Sequence, residues 1–207
     1  MLHTPFLVLA LSLATLPAAA DTLTGKISLG GYAQSNTGSM STATGLAFAD
    51  ASGSSVSGTS GAVAFFGAGT GTFSGAGGCA SFTTGCGTIY DIANFASEPA
   101  TASFLTLTTD LGAITFDLTS VSSVTHTPFS LSVTALGTIN LSGYDATPGE
   151  LVLGSQAGGI DSFNANLYAL APNVVPTPEP SSLMLLSGST LLLSFRRVRE
   201  RILSAVR

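Results

Sequence analysis

The chain has 207 residues, with six basic and eleven acidic side chains, 24 glycines, two cysteines and no tryptophan. Five of the six cations lie at or beyond Arg196, and Glu179 and Glu200 lie in the same terminal stretch. Residues 21–170 therefore hold Lys26 against nine carboxylates, a net charge of −8. That balance disfavours nucleic acid and anionic membrane surfaces as partners of this segment, because Lys26 alone could neutralise phosphates. Its length suffices for one domain with a sizeable core.

Residues 1–20 read as a helical secretory signal peptide. Phe6 to Leu16 is apolar, Pro17 breaks the run, and Ala18-Ala19-Ala20 supplies an A-x-A site before Asp21. Signal peptidase is expected to cut between Ala20 and Asp21. The only positive charges ahead of the apolar run are the terminal amine and His3.

Residues 21–170 read as a secreted β domain. Leu23, Ile27 and Leu29 alternate, with Tyr32 beyond Gly30-Gly31, which predicts a strand with a bulge. Residues 35–62 are rich in Ser, Thr, Gly and Ala and read as loop or edge, with Leu46 and Phe48 marking one short strand. Val63, Phe65 and Phe66 predict a strand, and Thr70, Thr72 and Phe73 another. Glycines at 75, 77 and 78 lead into CASFTTGC, but no Lys or helix pattern makes them a phosphate loop. In an exported protein Cys79 and Cys86 are expected to form one local disulfide, contributing about 2–3 kcal/mol for so short a loop. Zinc is disfavoured by the six-residue spacing and the lack of a nearby His.

Ile89 to Phe95 reads as a strand closed by Glu98-Pro99. In 102–109, Leu105 and Leu107 oppose Phe104, Thr106 and Thr108. In 113–119, Ile114, Phe116 and Leu118 face inward, and Asp110-Leu111-Gly112 joins the two runs as a tight hairpin. Phe129, Leu131 and Val133 predict the next strand, followed by Ile139 and Leu141. Thr147-Pro148-Gly149-Glu150 fits a type II turn. Leu151 and Leu153 follow, then Phe163, Ala165, Leu167 and Ala169 alternating with Ser162, Asn164, Asn166 and Tyr168. About ten short strands with turn signals between them predict an antiparallel all-β fold, a two-sheet β-sandwich or jelly roll. No fixed period suggests a solenoid.

Residues 171–180 carry four prolines and read as a linker ending in Pro178-Glu179-Pro180, which cannot enter a helix interior. Residues 181–207 open with Ser181 and Ser182. Leu183 to Phe195 is then free of charge, and Arg196, Arg197, Arg199 and Arg201 follow. A helix over 183–195 rises about 20 Å, short of a hydrocarbon core of roughly 30 Å, and spans once Ser181, Ser182 and Val198 join it with the arginines snorkelling. The arginines act as a stop-transfer cluster on the cytoplasmic side.

The order of Pro178, Glu179, Pro180, Ser181 and Ser182, a Leu-rich run containing Gly188, and an Arg cluster resembles the PEP-CTERM sorting signal of Gram-negative bacteria. The same tail motif also carries the label "ice-binding protein C-terminal" domain, which names the tail and does not demonstrate ice binding. The resemblance implies recognition by an inner-membrane exosortase, cleavage near Pro178–Pro180, transient membrane anchoring, and delivery to the outer cell surface or exopolysaccharide matrix. Two features depart from the pattern. The tail runs twelve residues from Arg196, and it includes Glu200 with Ile202, Leu203 and Val206. The runs FLTLTTDLGAITFDLTS and GYDATPGELVLGSQ also resemble a recurring class of PEP-CTERM ectodomains.

No catalytic set emerges. His126 is the only His in 21–170 and no G-x-S-x-G elbow accompanies it, so it reads as a surface side chain. Asp91, Asp110, Asp117, Asp145, Glu150 and Asp161 read as solvated acids rather than a glycosidase pair. Asp145 or Asp161 could join a Ca²⁺ loop, although no D-x-D pattern supports one. Tyr32, Tyr90, Tyr144 and Tyr168 could stack on sugars but fit half-buried strand packing better. Thr70/Thr72 and Thr106/Thr108 are T-x-T pairs without the repeat an ice-binding face needs. Asn140-Leu141-Ser142 matches a glycosylation sequon inside a strand. The expectation is an exported, non-enzymatic surface or matrix protein with no cofactor or metal. Its partners would be exosortase and signal peptidase during export, the inner membrane transiently, and exopolysaccharide. A carbohydrate- or Ca²⁺-binding adhesion module is the alternative.

Overall fold

The structure, a computed structural model, describes residues 21–54, 60–65, 69–79, 86–156 and 161–170. Its strands are β1 (Asp21–Thr22), β2 (Gly25–Ser35), β3 (Leu46–Ala49), β4 (Ser60–Phe65), β5 (Gly87–Tyr90), β6 (Thr101–Thr109), β7 (Gly112–His126), β8 (Ser130–Leu141), β9 (Tyr144–Asp145), β10 (Thr147–Gln156) and β11 (Asp161–Ala169). The signal peptide (1–20), the linker and PEP motif (171–180), the C-terminal segment (181–207) and Phe66 lie outside the described residues. Among the described residues no helix is long and apolar enough to cross a membrane.

The all-β, antiparallel expectation holds. The two-sheet sandwich or jelly roll gives way to one sheet that closes on itself. Strands β2, β4, β5, β6, β7, β8, β10 and β11 each pair with the next, and β11 returns to β2. Their even number lets every pairing around the ring run antiparallel. The closing contact is extensive: Asp161 to Ala169 matches Ala33 to Gly25 over nine residue pairs, so neither strand is left as an edge. β3 adds to the C-terminal part of β2, and β1 pairs with β9 in parallel.

Period-2 alternation fills the barrel. Leu29 lies opposite both Phe65 and Ala165, and Ile89, Leu105, Phe116 and Ile139 continue across successive strands. All are buried. At about 1.5–3 kcal/mol for each fully buried large apolar side chain, this cluster is the main stabilising term. Two aromatic rings occupy space that glycine leaves. Phe163 lies opposite Gly31, where a Cβ would meet its ring at 2.6 Å. Phe116 lies over Gly137, where a Cβ would meet its ring at 2.7 Å. The edge of Phe48 packs on Phe163 with centroids 5.2 Å apart.

Several local expectations change. Gly30-Gly31 is not a bulge. β2 stays in register with β11 and changes partner from β4 to β3 after Gly31. Thr70, Thr72 and Phe73 do not form a strand: Gly71–Gly75 is a 3₁₀ turn, and Gly71 has φ +60°. The turn is tied to β2 by Thr70 N to Lys26 O (2.8 Å) and Lys26 N to Thr70 Oγ1 (3.1 Å), which buries Phe73. The strand expected over 89–95 ends at Tyr90, and Leu46 and Ile92 then exchange backbone hydrogen bonds of 2.8 and 2.9 Å. Phe104 is buried with Leu105 and Leu107 rather than opposing them, because a register shift with Ser103 at φ +52° turns the chain between Thr101 and Leu105. Phe129 is 77% exposed, one residue before β8 begins. Pro148-Gly149 lies inside β10 rather than in a turn. Gly149 is required there because a Cβ would lie 2.5 Å from the Ile139 side chain.

Candidate functional site

Barrel topology sorts the loops to two ends. At one end lie both ends of the described chain. Asp21 pairs with Tyr144, and Leu170 N donates to Pro148 O at 2.9 Å. The Cys79–Cys86 disulfide, with Cα atoms 5.8 Å apart, lies at this end between β4 and β5, as expected for the two cysteines of an exported chain. Phe65 and Cys79 exchange backbone hydrogen bonds of 3.0 Å. Buried Thr147 completes the latch: its Oγ1 accepts from Leu23 N (3.0 Å) and donates to Asp145 O (2.8 Å).

The opposite end carries loops 36–45 and 91–100 and the β7–β8 turn. It also carries two clefts. The first, of about 340 Å³, separates Ala43, Phe95 and Ala96 from Val121, Val124 and His126. It exists because β6 pairs with β7 only as far as Leu118, while β8 follows β7 to His126. Register shifts around Thr119 and Ser122 loosen this extension, and Ser122 Oγ donates to Thr134 O. The His126 Nδ1 to Met40 O contact of 3.0 Å ties loop 36–45 to β7. His126 is thus held by a backbone carbonyl, and Thr44, Asn94, Ser122 and Ser123 add polar groups to the cleft lining.

The second cleft, of about 360 Å³, lies where β8, β10 and β11 run side by side. Gly154 pairs with Ser132 on one side and Asn164 on the other, forming a floor without side-chain bulk. A Cβ at Gly154 would meet only Asn164 O, at 3.8 Å. Ser130, Ser155 and Ser162 complete the polar lining, which carries no charge. Ser155 is 4% exposed, and its Oγ is the one buried side-chain polar atom among the described residues without a hydrogen-bond partner. Of these residues the sequence reading places only Ser162 and Asn164, as polar positions alternating with Phe163 and Ala165. The available signal was a cross-strand row of Ser, Gly and Asn with no large side chain.

The expected acids do not converge. Asp117 accepts from Ser103 N (2.7 Å) and Asn140 Nδ2 (2.9 Å), bracing the β6 irregularity and occupying the sequon asparagine. Asp91 Oδ1 accepts from Phe48 N at 2.7 Å. Burial holds its carboxyl above the ordinary aspartate range, the Phe48 hydrogen bond opposes that rise, and the charge of Glu98 adds to it. Asp50 is half-buried by surface area, and the Ser52 hydroxyl and the Ser54, Ser52 and Gly53 amides hold its carboxyl below the ordinary range. Asp110 contacts Gly77, and Asp145 and Glu150 line neither cleft. The Asp161 side chain lies outside the described residues. Among those described, no three His, Cys, Asp or Glu side chains gather as a metal site. The tyrosines are dispersed: Tyr168 lies under Lys26 Nζ (5.8 Å to its centroid), Tyr32 is opposite Ser162, and Tyr90 and Tyr144 are exposed at opposite ends.

The expected processing residues Ala18, Ala20, Pro178, Glu179, Pro180, Ser181, Ser182, Arg196, Arg197, Arg199 and Arg201 lie outside the described residues, and Asp21 opens β1. Compared with known proteins, the chain matches no family model, no curated protein and no solved structure.

Proposed function

We propose that this is an exported, non-enzymatic surface or matrix protein, cut by signal peptidase before Asp21 and by an exosortase near Pro178–Ser181, and retained among exopolysaccharide. The observation that carries this reading is the position of the two chain ends. Asp21 and Leu170 emerge at one end of a closed barrel, so both export signals attach to the same side of the domain. The disulfide fits an oxidising compartment. The dispersed acids and the lone, carbonyl-bound His126 support a binding or structural role over hydrolysis.

The test is the intact mass of the protein recovered from the cell surface and medium. The expected product starts at Asp21 and ends between Pro178 and Ser181. A product retaining Arg207 overturns cleavage and makes the tail a permanent anchor. Turnover of a polysaccharide at an enzyme-like rate by the recovered protein overturns the non-enzymatic part.

A further inference from the structure

We propose that the free edge of β7 over 119–126, with the cleft beside it, takes up a short extended peptide as an added strand, apolar at alternate positions and basic at one end. The edge exists because its neighbour turns away. β6 pairs with β7 no further than Thr101 opposite Leu118, while β8 follows β7 to His126. Upstream of Thr101 the chain meets Pro99, which has no N–H to continue the ladder. Residues 94–97 then close a turn through Ser97 N to Asn94 O (3.1 Å) and Ala96 N to Asn94 Oδ1 (3.0 Å). Among the described residues no backbone hydrogen bond joins 119–126 to loops 36–45 or 91–100, and the tie across the gap is His126 Nδ1 to Met40 O. A strand edge in this state offers unpaired N–H and C=O groups, and 119–126 contains no Lys, Asp, Glu or Pro to blunt it.

Backbone, cleft and charge together define the occupant. Only a peptide backbone matches a row of donors and acceptors at strand spacing, and a small apolar molecule would leave that row unmet. Val121 and Val124 lie opposite buried Ala135 and Val133, so they face the core side of the sheet. With Ala43 and Phe95 they give the cleft of about 340 Å³ an apolar floor, which takes every second side chain of an added strand. Glu98 accepts from the amide of cleft-lining Asn94 at 3.3 Å. The domain has a net charge of −8, and its single Lys or Arg, Lys26, lies over Tyr168. A basic peptide end is therefore attracted to this rim and an acidic one repelled. A second copy of the chain fits worse, since two acidic domains would face each other and the bulges at Thr119 and Ser122 bend both edges. The same bulges limit the added ladder to a short segment.

This inference goes beyond the export reading and does not rest on it. The probe is a short fluorescein-labelled peptide that alternates valine and threonine and ends in lysines, titrated into the full chain. Binding in the micromolar range is expected, with amide exchange slowed over 119–126 and unchanged in β1 and β9. Methylating the peptide's amides at alternate positions should abolish binding in one register and spare it in the other, because only every second amide faces β7. Val121→Thr and Val124→Thr keep the side-chain shape and put a hydroxyl in the cleft, and each should weaken binding about tenfold. Exchanging the terminal lysines for glutamates should also weaken binding, and Glu98→Gln should narrow that difference. No binding of the lysine peptide, or slowed exchange confined to other strands, overturns the proposal. Equal loss in both methylation registers overturns strand addition, and undiminished binding by both valine variants overturns the part played by the cleft. Equal binding of the lysine and glutamate peptides overturns the charge selection. Protection over 119–126 that grows with protein concentration and needs no peptide assigns the edge to a second copy and overturns the proposal.

Discussion

The two ends of the barrel differ in how their chain is held. At the end where Asp21 and Leu170 emerge, ties of several kinds accumulate: a local disulfide, the Thr147 hydroxyl bridging Leu23 to Asp145, and a 3₁₀ turn bonded to β2. The loop end has long-range hydrogen bonds as well, from Phe48 N to Asp91, between Leu46 and Ile92 and from His126 to Met40 O, but among the described residues no disulfide, and part of its bonding is local. Asn36, Thr37 and Asp50 bond within their own loops, β7 carries its two register shifts, and Phe129 is exposed. The difference shows covalent and buried polar links concentrated where the chain enters and leaves, and adaptable surface concentrated where it is free. Closure by β11 and β2 lets one end be latched while the other stays open to contacts, because the wall between them is continuous.

The largest effect comes from breaking that wall, which should erase the contrast altogether. Phe116→Ala removes a fully buried ring packed over Gly137 and Ile139 and is expected to cost about 3–5 kcal/mol by denaturant titration. Gly137→Val fails by the opposite route. Its Cβ would collide with the Asp117 carbonyl and the Phe116 ring, and loss of a cooperative melt is the expected outcome. A Gly137→Val protein that melts like the parent would show that the wall is more pliable than the packing implies.

Opening only the latched end should cost less. Replacing both cysteines by serine is expected to lower stability by about 2–3 kcal/mol. Hydrogen exchange should rise first at Phe65 and Thr108, whose amides donate to the carbonyls of Cys79 and Cys86, and at positions 79 and 86 themselves, whose amides donate to Phe65 O and Val63 O. Uniform loss of protection around the barrel would contradict a local latch. Thr147→Val keeps the shape but leaves Leu23 N buried without its acceptor, at a cost of about 1–3 kcal/mol. The same exchange measurement should then report at residues 22–24.

Much of the wall was legible because alternation is a local signal. Leu105/Leu107, Ile114/Phe116/Leu118 and Phe163/Ala165/Leu167 face the core as their spacing implies. Closure was not legible, since nothing within 25–35 or 161–169 states that the two will pair. Glycine was read wrongly where its reason was steric. Gly149 beside Pro148 carries a turn signature, yet it is glycine because Ile139 and Phe116 occupy its Cβ space. Conversely, Thr70, Thr72 and Phe73 carry a strand signature, yet Gly71 between them takes positive φ in a turn. The Gly154 cleft depends on which residues share a row across three strands, and that is fixed only by register. The disulfide, by contrast, follows from the expected compartment and from there being only two cysteines.

The smallest expected effect lies at the loop end and depends on pH. Asp91 has a folded-state pKa above the ordinary value of 3.8, chiefly because it is partly buried. Between those two values the folded chain holds a proton that the unfolded chain has released, so stability falls as pH rises through this window and stays lower at neutral pH. Asp91→Asn keeps an oxygen to accept from Phe48 N and removes the charge. Its melting temperature should exceed the parent's at neutral pH, and the gap should close on acidification as the parent carboxyl protonates. Asp50 provides the mirror image on an exposed turn. Its pKa is lowered by hydrogen bonds to the charged form, so its contribution is present at neutral pH and is lost as pH falls through the depressed value. Asp50→Asn should melt slightly below the parent at neutral pH, converging with it in acid. Thermal melts of both variants across the acidic range decide the matter. An Asp91→Asn protein less stable than the parent at neutral pH would mean that the Phe48 amide favours the charged carboxylate by more than burial disfavours it.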